Sequence, residues 1–483
     1  MQFTVIQRIF GLLLMLFSLT MLPPAGVEWL YGDGDLEAFL LSFAWTLATG
    51  FVFWLPVKNR RKELRLRDGF VVVVLFWTVL GLFGAVPFML SERPVMSLTD
   101  AIFESVSGLT TTGATVLTGL DTLPHAILFY RQELQWLGGM GIIVLAVAVL
   151  PMLGVGGMQL YRAETPGPMK DNKLTPRITE TAKALWYIYL GLTIACAAAY
   201  WFAGMDVFDA VGHSFSTVAI GGFSTHDASM GYFHSPVIEL IAVLFMFMAG
   251  INFALHFIAW RRRSLAPYLL DSEVKTYFWV LFVGSVITTG YLYFTHVLPD
   301  FASAVHHGIF QTVSIGTTAG FTTTEYFNWP GFLPVMLLFI SFVGGCAGST
   351  GGGMKVIRFL LLLKQGMREI MRLIHPNAQI PIKVGGKAMS YRVVESVWGF
   401  FATYVAVFSI MLLVLMMTGL DQVTAFSAVA ACMNNLGPGL GDVGAHYGVL
   451  SNPAKWVLCV AMLLGRLEIF TLVVLFTPTF WRR

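Results

Sequence analysis

Thr110-Thr111-Thr112-Gly113-Ala114-Thr115 closes a short stretch set between two long apolar runs, and the chain repeats that arrangement three more times. The sister segments are Ala219-Ile220-Gly221-Gly222-Phe223-Ser224-Thr225-His226-Asp227, Thr317-Thr318-Ala319-Gly320-Phe321-Thr322-Thr323-Thr324 and Asn434-Asn435-Leu436-Gly437-Pro438-Gly439. Their anchor glycines, Gly113, Gly222, Gly320 and Gly437, stand 109, 98 and 117 residues apart. Self-similarity at a near-constant period marks a repeated architecture. Asp100-Ala101, Asp209-Ala210 and Thr424-Ala425 each begin 13 residues before the glycine, whereas the third repeat has His307-Gly308 there. Asp or Thr at that offset suits a helix N-cap. The roughly ten residues that follow are too few to cross a bilayer, so each segment reads as a re-entrant half-helix.

Working outward, each unit follows one plan: spanning helix, half-helix, glycine loop, spanning helix. The first helices are expected near 70–90, 183–203, 276–297 and 394–418, and the second near 131–153, 236–260, 331–363 and 454–478. Two leading helices, near 4–22 and 38–56, bring the total to ten spans. The run from Ile9 to Leu22 lacks a small-residue cleavage site and reads as the first span rather than a signal peptide. The expectation is an all-α polytopic membrane protein with four pseudo-symmetric helix–pore-loop–helix repeats around a central pore. Its divisions are 1–67 for the leading helices and 68–160, 161–263, 264–375 and 376–483 for the repeats.

Composition agrees. Of 483 residues, 56% are hydrophobic and 12% charged, against about 25% charged in soluble domains. Residues 70–90 and 134–153 carry no charge, and roughly 20 such residues suffice to span. A net charge of +3 is too small to suggest nucleic acid. Basic residues gather at Arg8, Lys58 to Arg67, Arg162 to Lys183, Arg261 to Lys275, Lys364 to Arg392 and Arg482-Arg483. The positive-inside rule places these stretches and both termini in the cytoplasm. Cys196, Cys346, Cys432 and Cys459 lack metal-ligand spacing and read as free buried thiols.

Irregular backbone at membrane depth is tolerated only where protein buries it or where it lines a water-filled cavity. Four such loops around one axis can present a ring of carbonyls that replaces the hydration shell of a cation such as potassium. Glycine permits the positive φ that turns successive carbonyls toward the axis. The half-helices would aim their negative carboxyl ends at the same place. The residues before each glycine are uncharged: Thr111-Thr112, Ile220-Gly221, Thr318-Ala319 and Asn435-Leu436. Carbonyls, not carboxylates, are therefore the expected ligands.

These four motifs, in order over essentially the whole chain, resemble the Trk/Ktr/HKT potassium-transporter superfamily, most closely its bacterial Trk branch. The resemblance implies potassium uptake across the bacterial inner membrane, with K+ as the transported ion. It implies binding by carbonyls of Thr111, Thr112, Ile220, Gly221, Thr318, Ala319, Asn435 and Leu436 and by the filter glycines. In this superfamily a serine in the first filter accompanies sodium permeation, so Gly113 favours potassium. Each filter has fewer glycines than Thr-Val-Gly-Tyr-Gly, which implies weaker sodium exclusion. A homodimer and a cytosolic nucleotide-binding ring of the TrkA type are implied as partners. Cytoplasmic stretches near 154–182 and 364–393 are well under a typical domain, so this chain is expected to bind no nucleotide itself.

Gly344-Gly345-Cys346-Ala347-Gly348-Ser349-Thr350-Gly351-Gly352-Gly353 interrupts the third repeat's second helix. Six glycines in ten residues make a poor helix. The resemblance implies a flexible loop that obstructs the pore and moves to open it. Lys355, which follows, could hold the loop near other pore helices. Arg466 and Glu468 lie inside the last apolar run and, two positions apart, share no helix face. An ion pair to another helix is the plain reading; the resemblance points Arg466 into the pore beneath the filter. His306 and His307 depart from the sister repeats without a role legible in the sequence. No histidine pair has the i, i+4 spacing of a zinc helix. Gly154-Val155-Gly156-Gly157 follows no strand and is too weak for a dinucleotide site. One alternative is symport with sodium or protons, for which Glu104, Glu133 and Glu239 are candidate second-ion ligands. A more remote one is a membrane-embedded metalloenzyme.

Overall fold

A computed structural model describes residues 1–34, 36–59, 66–141 and 178–482. The basic residues between 60 and 65 and between 162 and 177, Gly154-Val155-Gly156-Gly157 and Arg483 lie outside the described residues. Almost all described secondary structure is helical; one antiparallel hairpin, Lys383–Val384 with Lys387–Ala388, is added to the all-α expectation.

Among the described residues, six helices are long and apolar enough to cross a membrane unbroken: Phe3–Tyr31, Leu36–Val57, Arg67–Leu90, Lys183–Phe202, Ser272–Phe294 and Tyr391–Met417. The first two are the leading pair. They cross closely, because a Cβ on Gly11 would lie 2.7 Å from the Gly50 carbonyl oxygen and one on Gly50 would lie 2.8 Å from that of Gly11. Small residues allow such contact between helices in lipid. The other four are the first helices of the repeats, within a few residues of expectation.

The second helices of the second and fourth repeats are bent where unbroken spans were expected, while that of the third is interrupted at the glycine-rich segment as expected. Pro236–Ala249 and Phe253–Arg262 meet at 95°, and Asn452–Arg466 meets Phe470–Phe476 at 108°. Leu333–Val343 stops at Gly344, and helix resumes at Val356–Ile374. In the first repeat His125–Trp136 passes into a π turn, Leu137–Gly141, and its continuation lies outside the described residues. Counting each bent pair as one span gives up to eight candidate spans among the described residues, which leave out most of the first repeat's second span. Local chemistry explains one break: Asn252 caps the new helix, its side chain accepting from the Ala254 N–H at 2.8 Å. Val356–Ile374 also carries helix past residue 363 into the expected cytoplasmic loop.

Four buried half-helices occupy the centre: Leu98–Leu109, Val207–Ala219, Phe301–Thr317 and Gln422–Asn434. Their N-caps are Ser97, Asp206, Asp300 and Asp421, whose side chains accept from backbone N–H groups of the first turn. The caps thus sit one turn before Asp100, Asp209 and Thr424, correcting the expected positions. In the third repeat Asp300 starts the helix well before His307, making it 17 residues long against 12, 13 and 13.

Polarity is inverted relative to a soluble protein. Every residue from Ala101 to Leu109 is buried, hydroxyls and Glu104 included. Ser272–Phe294 instead presents Phe278, Trp279, Phe282, Val286 and Ile287 outward. Hydrocarbon is a good solvent for that face but leaves backbone polar groups unsatisfied, so irregular segments retreat to the interior.

Candidate ion pathway

Each half-helix ends in the same backbone turn. Thr111, Ile220, Thr318 and Asn435, two positions before the anchor glycines, are left-handed with φ of 55°, 55°, 73° and 54°. The residue after each closes a bond to the carbonyl five positions back: Thr112 to Ser107, Gly221 to Ser216, Ala319 to Ser314 and Leu436 to Ala431, at 2.8–2.9 Å. This is the Schellman closure that satisfies the last helical carbonyls. The anchor glycines follow with φ of 80°, 80°, 83° and 94°.

The four loops meet in a closed cycle. A Cβ on Gly113 would lie 2.1 Å from the Gly221 carbonyl oxygen, one on Gly222 2.0 Å from that of Ala319, and one on Gly320 2.1 Å from that of Leu436. One on Gly437 would lie 2.8 Å from that of Thr112, which returns to the first repeat. Each anchor glycine therefore abuts the carbonyl just before the next repeat's glycine. Real Cβ atoms do not approach oxygen so closely, so steric room at the ring, beyond positive φ, requires glycine there.

Polar side chains brace the loops from behind. Gln135 donates to the Gly221 carbonyl at 2.6 Å and accepts from the Phe223 N–H at 3.0 Å, while Gln132 donates to the Phe223 carbonyl at 3.2 Å. Arg131 donates to Glu104 at 2.7 Å and to the Ser224 carbonyl at 3.0 Å, with both side chains fully buried. Glu104 also accepts from the Thr115 hydroxyl at 2.9 Å and the Val116 N–H at 3.0 Å. Ser314 donates to the Phe321 carbonyl at 2.7 Å. Tyr447 donates to that of Gly437 at 2.7 Å, and Tyr326 to those of Pro438 and Gly439 at 3.2 Å. The sequence reading missed these braces. Their signal was present as Arg131, Gln132 and Gln135, polar residues at helical spacing just before a long apolar run of sequence.

The glycine-rich segment lies against the helix ends that lead into three of the loops. Thr350 donates to the Val218 carbonyl at 2.9 Å. Gly352 N–H donates to the Thr318 hydroxyl at 2.6 Å, and Gly353 N–H to the Asn434 carbonyl at 3.0 Å. Arg466 contacts the first repeat: it donates to the Thr111 hydroxyl at 3.3 Å and to the carbonyls of Gly138 and Gly139. The segment and Arg466 together thus reach all four repeats at the approach to the ring. Gly344, Gly348 and Gly353 adopt positive φ, as does Lys355. Gly345 N–H donates to the Gly352 carbonyl across the segment at 3.4 Å, and the Ser349 hydroxyl donates to the Cys346 carbonyl at 2.6 Å. Lys355 donates to the Gly351 carbonyl at 2.6 Å. It therefore ties the segment to itself, where an anchor to other pore helices was expected. Glu273 supplies an outside anchor, accepting from Ala347 N–H at 2.7 Å and Ile357 N–H at 3.1 Å.

Glu468 makes the ion pair to another helix that was the plain reading of this stretch. Its partner is Arg358, whose guanidinium stacks 4.2 Å from the Phe400 ring centroid. The four cysteines are buried and free. His213 is a packed histidine, bonded to Ser224 Oγ and the Asp209 carbonyl, both at 2.9 Å. The fold also makes a cluster that spacing concealed: ligand atoms of Glu239, His306 and His307 lie within 4.8 Å of one another.

The sequence model of the cation transport protein family TrkH matches residues 35–483. The Trk system potassium uptake protein TrkH of Halomonas elongata is 60% identical over 485 residues, and that of Escherichia coli K12 58% identical over 482, with 100% of both chains covered in each case. The crystal structure of the potassium transporter TrkH from Vibrio parahaemolyticus shares this fold at a TM-score of 0.91 and 57% identity, again covering 100% of both chains. These relatives are transporters rather than enzymes, which removes the metalloenzyme alternative. With the ring of four glycine loops, full-length sequence similarity and a common fold in agreement, the chain belongs to the TrkH family of cation transport proteins.

Proposed function

We propose that this chain carries potassium into the cell through a gated, channel-like pore. The observation that carries the reading is the cyclic contact in which each anchor glycine abuts the carbonyl of the next repeat. Carbonyls of Thr111, Thr112, Ile220, Gly221, Thr318, Ala319, Asn435 and Leu436, with Gly113, Gly222, Gly320 and Gly437, form the selectivity filter. Each has an oxygen with two lone pairs, so the bond from Gln135 to Gly221 leaves one for the ion. The segment Gly344 to Gly353, Lys355 and Arg466 form the gate. Inward movement is driven by membrane potential, worth about 2.3 kcal/mol per univalent cation per 100 mV.

The protein works in the bacterial inner membrane with both termini cytoplasmic, in the five divisions given above. It acts as a homodimer whose cytoplasmic basic loops receive a TrkA-type nucleotide-binding ring. The relatives' designation as potassium uptake proteins of a Trk system supports this setting. Symport with sodium or protons is the second reading. Glu104 is saturated by Arg131, Thr115 and Val116, whereas buried Glu133 leaves Oε2 without a hydrogen-bond partner among the described residues and is the symport candidate to test.

The deciding experiment is rubidium uptake by proteoliposomes of the purified chain under an imposed potential, with no sodium or proton gradient. Uptake that follows the potential is expected, and a Gly113→Ser protein should admit more sodium. Uptake that appears only with a sodium or proton gradient would replace the channel reading with symport.

A further inference from the structure

His306 and His307 interrupt the pattern shared by the other half-helices, and their surroundings suggest why. Both lie in the first half of Phe301–Thr317, toward its capped end. Glu239 stands in the first turn of Pro236–Ala249, in the second repeat. Its carboxylate is 4% exposed, and Oε2 lies 2.7 Å from His306 Nε2. Neither atom has a hydrogen-bond partner among the described residues, so the pair is close without being aligned. A simple ion pair would not require the second imidazole, yet a ring nitrogen of His307 falls within the same 4.8 Å cluster. His307 Nδ1 is within 3.0 Å of the Thr323 hydroxyl. Such a contact fixes ring orientation, as outer partners do for metal-bound histidines. His306 is 29% exposed and leaves a path for an ion to enter.

We infer that Glu239, His306 and His307 form a binding site for a borderline divalent transition metal, of which zinc is the probe. Two imidazoles and a carboxylate suit Zn2+ and its neighbours, with a fourth position left for water. They do not suit potassium or magnesium, which take oxygen ligands. Ligand atoms around zinc sit roughly 3.3 Å apart at metal–ligand bonds near 2.0–2.1 Å. The Glu239–His306 pair needs only a small opening, and His307 a small approach. The bound ion would join the second and third repeats. It would also brace the third glycine loop through Thr323, whose N–H donates to Gln311 Oε1 at 3.2 Å.

The test is zinc binding to tag-free purified protein, measured by equilibrium titration with X-ray absorption of the loaded sample. About one zinc per chain is expected, with nitrogen and oxygen ligands at about 2.0–2.1 Å and two imidazoles. Affinity should fall by about tenfold or more in His306→Ala, His307→Gln and Glu239→Gln. If the buried Glu239 variant fails to fold, the partly exposed His306→Ala decides. No stoichiometric zinc, or equal binding by the parent and His306→Ala, overturns the site. Binding is read without transport, so failure here leaves the pore reading intact, and the reverse also holds.

Discussion

The four glycine loops and the glycine-rich segment beside them are built from the same residue to opposite ends. At the ring, glycine removes a Cβ that would strike the next loop's carbonyl, and the backbone is then held by side chains reaching from behind, such as Gln135, Arg131, Ser314 and Tyr447. In the segment the contacts are mostly backbone groups and hydroxyls; of its charged contacts, Lys355 closes on the segment's own Gly351 carbonyl and Glu273 anchors it from outside. Each neutral bond contributes about 1 kcal/mol net, and few of the segment's bonds involve a charge. One region is cross-braced by side chains; the other rests mostly on its own backbone groups and hydroxyls, as the proposed gate would. A filter needs the first property and a gate the second.

The buried brace offers the harshest way to break this contrast. Arg131→Ala strands Glu104 without its cation, and loss of one partner of a buried pair costs roughly 3–5 kcal/mol. A large drop in detergent melting temperature is expected; an unchanged value would show that the brace does not hold the first loop. Gly222→Ala comes next, since its Cβ would meet the Ala319 oxygen at 2.0 Å. Overpacking of this kind costs about 1–3 kcal/mol, and the ratio of rubidium to sodium flux should fall because the ring must widen. Tyr447→Phe removes one buried bond to the Gly437 carbonyl and should cost about 1 kcal/mol, with a smaller loss of the same ratio. Gly352→Ala sharpens the comparison most. Its Cβ would meet the Asn434 oxygen at 2.0 Å, the same overlap as at Gly222. If the segment withdraws as the proposed gate, stability should change by less than about 1 kcal/mol while rubidium flux rises. A Gly352→Ala protein as unstable as Gly222→Ala, with flux unchanged, would mean that both regions are equally rigid.

Much of the architecture is written locally. The half-helices follow from cap residues and short apolar length, and the four loops from a glycine recurring in register, because positive φ and helix closure depend on neighbours in the chain. The first helices of the repeats were legible for the same reason: about 20 uncharged residues determine a span wherever they stand. The long apolar runs of the second helices in the second and fourth repeats hid their bends. The Asn252 cap starts the new helix locally, but the backbone freed at Gly250-Ile251 finds its partners in a neighbouring repeat. Cys346 N–H, for example, donates to the Gly250 carbonyl at 2.8 Å.

The amino-acid sequence by itself determined the membrane class, the fourfold repeat and the residues that make the ring, since each depends on composition or on local backbone preference. Tertiary structure alone decided which carbonyl each glycine faces, which side chains brace it, that Arg466 meets the first repeat while Glu468 pairs with Arg358, and that Glu239 joins His306 and His307. Those contacts link residues tens to hundreds of positions apart. Their energies come from geometry after packing, which spacing along one strand of sequence does not encode.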